Sequence, residues 1–562
     1  MSRNTAIDTE AASPPQITPR IAPSKLARLA ARMDRGLHRH LSAIALAISA
    51  VGLALRIIAA NRTFLNPDEA LHYFLIHEPS LLLAYRASLS NAHPPLIYFL
   101  LYFARFLGHS ELLLRLPLVF AGTAFCWFTF KWTRELFGEP ASLFALIVAA
   151  FSPTLISLSA EVREYALMLF GMAAALYFLE RAFGEKSVRI MWYFSLFLYF
   201  AILSHYSAAF FAFALGVYAL ARFVDSACPR KVIASWAIGQ AGALAIYLFL
   251  YLTHLSKIRN NLALWSTSFG DTLFRLDQES IFHFTRQNSW NIFLYLFAQR
   301  YVAAAMLVAF TASVVFFMVS DFLSARRDRS SRHTGIQLLL PFVAVWAAAI
   351  AAIYPYVGSR HTTVLAPFAI AGASCLFAVI CRQKLWAVAF VAALLMAISN
   401  FYGGRPEPGI PDQRREMMAG ALNYLRQSVP EGDLILADME STLPLAYYYC
   451  QTERGFFQTW SRANFGQFNC DGRLLVPLHF WYLRPEGLAA PFQNLVHDNE
   501  LRPGDRVWIF QTGWGGNLMA KLPAHLPQFR CITPMVFGQS ITIVPLTVGP
   551  DLAPAPQTQC PN

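Results

Sequence analysis

LSAIALAISAVGLALRIIAA, residues 41–60, runs directly into NRTFLNPDEA, residues 61–70. The first stretch is almost unbroken apolar sequence. It is long enough to cross a hydrocarbon layer of about 30 Å as a helix. Lys25, Arg28, Arg32, Arg35 and Arg39 precede it, and the acidic pair Asp68-Glu69 follows it. Basic residues before and acids after a long apolar run, with no small-residue cleavage site, describe an uncleaved first span whose N-terminus is cytoplasmic.

The rest of the chain repeats that theme. Of 562 residues, 56% are hydrophobic and 14% charged, against about 25% charged in soluble domains. Mean hydropathy is +0.42. A net charge of +12 invites a nucleic-acid reading, but the basic residues sit in short clusters between apolar runs, which is a topology signal. No phosphate-binding P-loop motif occurs, and no nucleic-acid partner is expected.

Eleven runs are long enough to span: 41–60, 112–133, 140–158, 164–182, 190–204, 207–224, 232–254, 301–324, 335–355, 362–381 and 384–402. A twelfth, 94–107, is short for a span and reads as an interfacial helix. Leaving it out places the clusters Lys131/Arg134, Arg181–Arg189, Arg222–Lys231, Arg326–Arg332 and Arg382/Lys384 inside; counting it would move most of them outside. The expected fold is therefore an α-helical polytopic membrane protein. Residues 1–40 form a disordered, basic cytoplasmic segment, 41–403 a transmembrane domain, 404–548 a small extracytoplasmic α/β domain and 549–562 a loose tail. Strand-like runs in the outer domain are Asp433–Ala437, Tyr447-Tyr448-Tyr449, Arg506–Gln511 and Ile541–Pro545. The segments 61–111 and 255–300 are outer loops. Cys450, Cys470, Cys531 and Cys560 lie outside, and Cys450–Cys470 is the first pairing to test; spacing alone does not settle connectivity.

Several polar residues fall on the outer side. Asn66-Pro67-Asp68-Glu69 fits a helix start, with Asn66 as cap and the acids complementing the helix dipole. It equally fits a carboxylate base at the membrane surface. His93 in Ala92-His93-Pro94-Pro95 is an interfacial residue or a donor to an anionic head group. Arg115, Arg163 with Tyr165 beside it, and Arg360-His361 lie where positive charge is disfavoured. They either snorkel and pair locally or converge on a phosphate. His205 sits between two spans. No metal-ligand spacing stands out.

The series Asp68-Glu69, His93-Pro94-Pro95-Leu96, Leu114-Arg115-Leu116-Pro117, Glu135-Leu136-Phe137-Gly138, Ser152-Pro153 and Glu161-Val162-Arg163-Glu164-Tyr165-Ala166-Leu167 resembles the GT-C glycosyltransferases. That superfamily includes protein O-mannosyltransferases and lipid A aminoarabinose transferases. The resemblance covers about residues 40–225 and implies the GT-C architecture in a bacterial inner membrane. It also implies a polyprenyl-phosphate-linked sugar donor, an envelope acceptor (glycan, lipid or protein) and inversion at the anomeric carbon. By motif, Asp68 is the implied base with Glu69 in support, His93 falls where the aminoarabinose transferases place a basic residue against the lipid phosphate, and Arg115 matches the arginine of the mannosyltransferase Arg-Leu motif. The chain departs from some relatives at Ala92 and at Met168-Leu169, where they carry acids, so a second acid and a metal site are not implied, and no cofactor is expected. The alternative is a polyprenyl-lipid or solute transporter, which predicts an inverted repeat; none is visible.

Overall fold

The computed structural model describes residues 38–549 apart from 90, 92, 109, 226, 257–271, 326–331, 382–385, 404–412, 451–467, 471, 479–500, 515–528, 532 and 539, together with 32, 35 and 36. Most of the N-terminal segment before 38, the tail after 549, Ala92, Cys560, most of the Arg326–Arg332 cluster and Arg382/Lys384 lie outside the described residues.

The protein is a multi-pass helical membrane protein carrying a small C-terminal α/β domain. Among the described residues, seven helices are long and apolar enough to cross a bilayer: Leu41–Arg62, Glu111–Phe137, Tyr165–Glu185, Ala208–Asp225, Arg230–Leu255, Arg300–Leu323 and Arg360–Val379. The run at 140–158 is a broken pair, Glu139–Phe151 and Pro153–Ser159, bent by 61°. Pro153 explains the break: it follows the cap Ser152, whose side chain accepts from Leu155 N–H. Val188–Ser204, Thr334–Ile350 and Ala389–Tyr402 are shorter apolar helices at the three remaining expected spans. The run at 94–107 forms a short helix, Leu96–Ala104, closed by a single 3-10 turn.

Two expectations change. The segment 255–300 is not all loop, since Ile281–Phe297 is a helix capped by Ser280. Tyr447-Tyr448-Tyr449 is not a strand: Tyr447 and Tyr448 end the helix Met439–Tyr448. Three adjacent aromatics mimic strand composition, but here the Tyr447 ring meets Tyr73 edge-on at 4.7 Å and the Tyr448 hydroxyl accepts from Leu65 N–H at 2.7 Å. Tertiary partners override local propensity.

The C-terminal domain is built on a sheet in the order β2-β3-β1-β4-β7-β5, with β6 (Met535–Phe537) paired to β7 (Ile541–Val548). Its centre is β1, Leu434–Asp438, parallel to β3 (Arg473–Leu478) and β4 (Arg506–Gln511). β2 (Phe468–Cys470), β5 (Phe529–Cys531) and β7 add antiparallel edges. All five residues of β1 are buried, as a strand covered on both faces requires. Cys450 and Cys470 are bonded across a separation of 20 residues. Opening a loop of that size costs about 3 kcal/mol, so a reductant, or Cys450→Ser, should lower the melting temperature of this domain in a scan of the full-length protein. An unchanged melt would show the bond contributes nothing.

Two apolar clusters set where a site can form. One fills the bundle, with Phe125, Phe144, Leu176, Phe194, Phe211 and Phe368. The other joins Phe64, Tyr73, Ile97 and Leu118 at one end of the bundle to Met418, Leu445 and Ile543 of the C-terminal domain. Arg163 precedes Tyr165–Glu185, His205 follows Val188–Ser204, and Arg360 opens the segment leading into Ala366–Cys381. All three therefore stand at the end that meets the C-terminal domain. Gly171 tightens this end: a Cβ there would lie 2.9 Å from Ala201 N, so the two helices flanking Arg163 and His205 pack backbone to backbone.

Candidate active site

The helix Pro67–Ile76 starts with a full capping box. Asn66 Oδ1 accepts from Glu69 N–H at 3.0 Å, and Asn66 N–H donates to Glu69 Oε2 at 3.1 Å. That turns the Glu69 carboxylate back toward the chain, where it also accepts from Val162 N–H at 2.8 Å and from Arg115 Nε and Nη2 at 2.7 and 2.6 Å. The other Arg115 donors go to Ala60 O at 2.6 Å, Thr63 O at 2.9 Å and Phe64 O at 2.9 Å. All five guanidinium N–H groups are thus engaged, and both side chains are fully buried. Arg115, expected at a lipid phosphate, instead binds the carbonyls that end the first span and fixes the first loop. Glu69 is the capping partner and the anchor of that loop rather than a group facing substrate.

Successive residues on a helix point about 100° apart. With Glu69 turned inward, Asp68 faces the other way. Its Oδ2 accepts from Arg163 Nη1 at 2.7 Å and Arg360 Nη1 at 2.9 Å, and its side chain keeps 28% exposure. Burial pushes its pKa up. The Arg163 and Arg360 guanidiniums, helped by His72 and His93, outweigh that and hold it well below the usual carboxylate range. Arg163 is held in the tight segment after Ser159, where its N–H bonds Glu161 O at 2.8 Å. Its Nε is buried without a hydrogen-bond partner. Its guanidinium lies 5.7 Å from the centre of the Tyr165 ring.

Behind Asp68 lies Glu164, fully buried and ringed by three histidines. His93 Nδ1 is 3.0 Å from Oε1, His205 Nε2 is 3.9 Å from Oε1, and His72 Nε2 is 3.8 Å from Oε2. The rings form a row, His72 to His93 at 5.8 Å and His93 to His205 at 6.1 Å, flanked by Tyr98 and Tyr165. His72 Nδ1 sits 2.7 Å from Asp68 O, which places a proton on that nitrogen and directs Nε2 toward Glu164. Burial lowers the pKa of His72, that of His93 well below its ordinary value, and that of His205 to about 4. Neither Glu164 oxygen makes a well-formed hydrogen bond. A buried carboxylate ringed by imidazoles suits a bound cation. The ligating atoms of His93, Glu164 and His205 all lie within 4.8 Å of one another, the one such group among the described residues. Two imidazoles and a carboxylate suit zinc or a similar divalent ion.

The structure thus brings Asp68, His93, Arg163, Tyr165, His205 and Arg360 together. His361, next to Arg360, lies within electrostatic reach of His205 and His93. Glu69 and Arg115 form the support beneath. Sequence reasoning did not single out His72 or Glu164. His72 had a signal, since it stands four residues after Asp68 and shares its helix face. Glu164 had only its place beside Arg163 in the outer turn.

Residues 92–255, somewhat under a third of the chain, match the sequence profile of the dolichyl-phosphate-mannose-protein mannosyltransferase family. That interval contains His93, Arg115, Arg163, Glu164 and His205. No curated protein matches the chain. Among solved structures, ArnT from Cupriavidus metallidurans bound to undecaprenyl phosphate aligns at 12% identity and a TM-score of 0.48, covering 89% of this chain and 97% of that one. The Archaeoglobus fulgidus oligosaccharyltransferase in complex with zinc and sulfate aligns at 13% and 0.45, covering 88% and 73%. AglB from the same organism, in complex with an inhibitory peptide and a dolichol-phosphate, aligns at 11% and 0.46, covering 90% and 74%. The chain is similar to the polyprenyl-phosphate-sugar glycosyltransferases of the GT-C superfamily; the matched interval holds part of the site, while Asp68, His72 and Arg360 lie outside it.

Proposed function

We propose that the protein is a glycosyltransferase that moves a sugar from a polyprenyl-phosphate donor to an envelope acceptor on the extracytoplasmic face of a bacterial inner membrane, with inversion. The observation that carries this reading is the pairing of Asp68 with both Arg163 and Arg360 at the partly exposed end of the bundle. Two guanidiniums are a strong grip for a phosphate monoanion or diester. As a donor phosphate engages them, Asp68 loses part of its cation pairing and becomes more basic. It then takes the proton of an acceptor hydroxyl whose oxygen attacks the anomeric carbon. The bond from that carbon to the phosphate oxygen breaks, and polyprenyl phosphate leaves with its electrons into the arginine pair. Base activation is in this way coupled to donor binding.

The test uses full-length protein in proteoliposomes with a radiolabelled polyprenyl-phosphate-linked sugar. Arg163→Gln or Arg360→Gln should raise the donor KM about ten- to hundredfold, the range of a lost charge-assisted contact. Labelled lipid that crosses the bilayer without any release of polyprenyl phosphate would instead identify a transporter.

A further inference from the structure

Arg56 lies inside the first span, Leu41–Arg62, and is fully buried. No acid pairs with it among the described residues. An ionisable side chain at membrane depth is costly and marks a functional position, yet Arg56 stands outside the ring of residues around Asp68. Backbone holds it. Nη1 donates to Gly52 O at 3.0 Å and Ala150 O at 3.2 Å, and Nη2 donates to Ala149 O at 3.0 Å and Cys126 Sγ at 3.3 Å.

Ala149 and Ala150 belong to the last turn of Glu139–Phe151, the first half of the broken pair. In an unbroken helix Ala149 O would accept from the N–H of residue 153, but Pro153 has none. Ala150 O would accept from Thr154 N–H, which belongs to the second half, across the 61° bend. Arg56 supplies both missing donors. The Ser152 and Thr154 hydroxyls donate outward instead, to Leu296 O at 2.8 Å and Tyr295 O at 2.6 Å. Two glycines make room for the guanidinium. A Cβ at Gly52 would lie 3.3 Å from Nη1; one at Gly122 would lie 3.2 Å from Nε and overlap Ser159 Oγ, at the end of the second half.

The two elements clasped in this way carry the two halves of the site. The first span continues through Thr63, Phe64 and Leu65 to Asp68. The broken pair continues from Ser159 into the turn that bears Arg163. Their far ends meet where Asp68 Oδ2 accepts from Arg163 Nη1 at 2.7 Å and Glu69 Oε1 accepts from Val162 N–H at 2.8 Å. A bend whose buried carbonyls lost their donors would shift to satisfy them, and the turn would move with it. We propose that Arg56 is a positioning residue, which fixes the bend of the broken span and so sets where Arg163 meets Asp68 and the donor phosphate. Only its effect on donor affinity rests on the transferase reading above.

Hydrogen–deuterium exchange of the full-length protein in lipid nanodiscs reads the turn without any substrate. Removing Arg56 leaves no acid unpaired, so Arg56→Gln should fold, with a side chain too short to bridge the carbonyls. The amides of residues 159–164 should exchange about tenfold faster, the equivalent of one lost hydrogen bond, while β1 of the C-terminal domain keeps its wild-type rate. With labelled donor, Arg56→Gln should raise KM about tenfold. Added to Arg163→Gln it should raise KM no further, because it acts through that side chain. A purely structural role would lower the yield of folded protein and leave KM and the local exchange of that protein unchanged, which would overturn the proposal. So would exchange raised uniformly, or a KM effect that adds in full to that of Arg163→Gln. If Arg56→Gln does not accumulate, Arg56→Lys decides. An ammonium is a point donor and cannot span Gly52, Ala149 and Ala150 together, so the turn should exchange about threefold faster or more; wild-type rates would overturn the proposal. A turn loosened in the variant, with no donor consumed by wild type, would leave the positioning role standing and remove the transferase reading.

Discussion

Asp68→Asn should lower the rate of sugar transfer about 10²–10⁴-fold, the usual cost of removing a general base, with little change in donor KM. The split follows from the geometry. Asparagine keeps an oxygen that can accept from Arg163 Nη1 and Arg360 Nη1, so the arginines stay in place. It carries no negative charge to compete with a phosphate for them. Donor binding should hold or tighten while kcat falls. The low pKa of Asp68 adds a sign. A depressed folded-state pKa means the ion pairs stabilise the protein above the unfolded carboxylate pKa of about 3.9. That stability is lost only as pH falls below it toward the folded value. Acidification into the range 4–3 should therefore leave wild type less stable by more than it does Asp68→Asn. Steady-state kinetics with labelled donor, and thermal melts of both proteins across that pH range, check the two parts. A kcat within a few-fold of wild type would remove Asp68 from the chemistry.

Arg115→Ala should cost about 3–5 kcal/mol of stability, the range for breaking a buried ion pair by deleting one partner. Glu69 would keep its backbone donors, Asn66 and Val162, but lose its cation, and the carbonyls of Ala60, Thr63 and Phe64 would lose their donor. A loss of that size is a large fraction of typical domain stability, so poor accumulation in the membrane is the expected phenotype. The double variant Arg115→Met with Glu69→Gln should recover part of the loss, because no charge is then left unpaired; thermal melts of the singles and the double measure the coupling. A well-folded Arg115→Ala protein with weakened donor binding alone would return Arg115 to the phosphate.

Much of the architecture was legible in the chain because bilayer crossing imposes a length and an apolar content that few other demands impose. Ten of the eleven apolar runs fall on a helix among the described residues, the run at 140–158 on a bent pair, and residues 94–107 form only a short one. The turn carrying Arg163 and the capping role of Asn66 could also be read, since both follow from local chemistry. The support beneath the site could not. The partners of Arg115 are backbone oxygens more than fifty residues away, and nothing local marks a guanidinium as already satisfied. Glu164 failed for the opposite reason: an acid in a short polar turn looks solvated until three histidines from separate elements close over it.

The capping box makes Asp68 and Glu69 a matter of phase. Two chemically similar neighbours have opposite fates because Asn66 fixes where the first turn begins. The three residues between the first span and Asn66, Thr63, Phe64 and Leu65, act as a spacer between a membrane-bound rod and that starting point. Lengthening or shortening the spacer by one residue would rotate the turn by roughly 100° and offer the wrong carboxylate to each environment. Length is therefore constrained in this loop more tightly than identity.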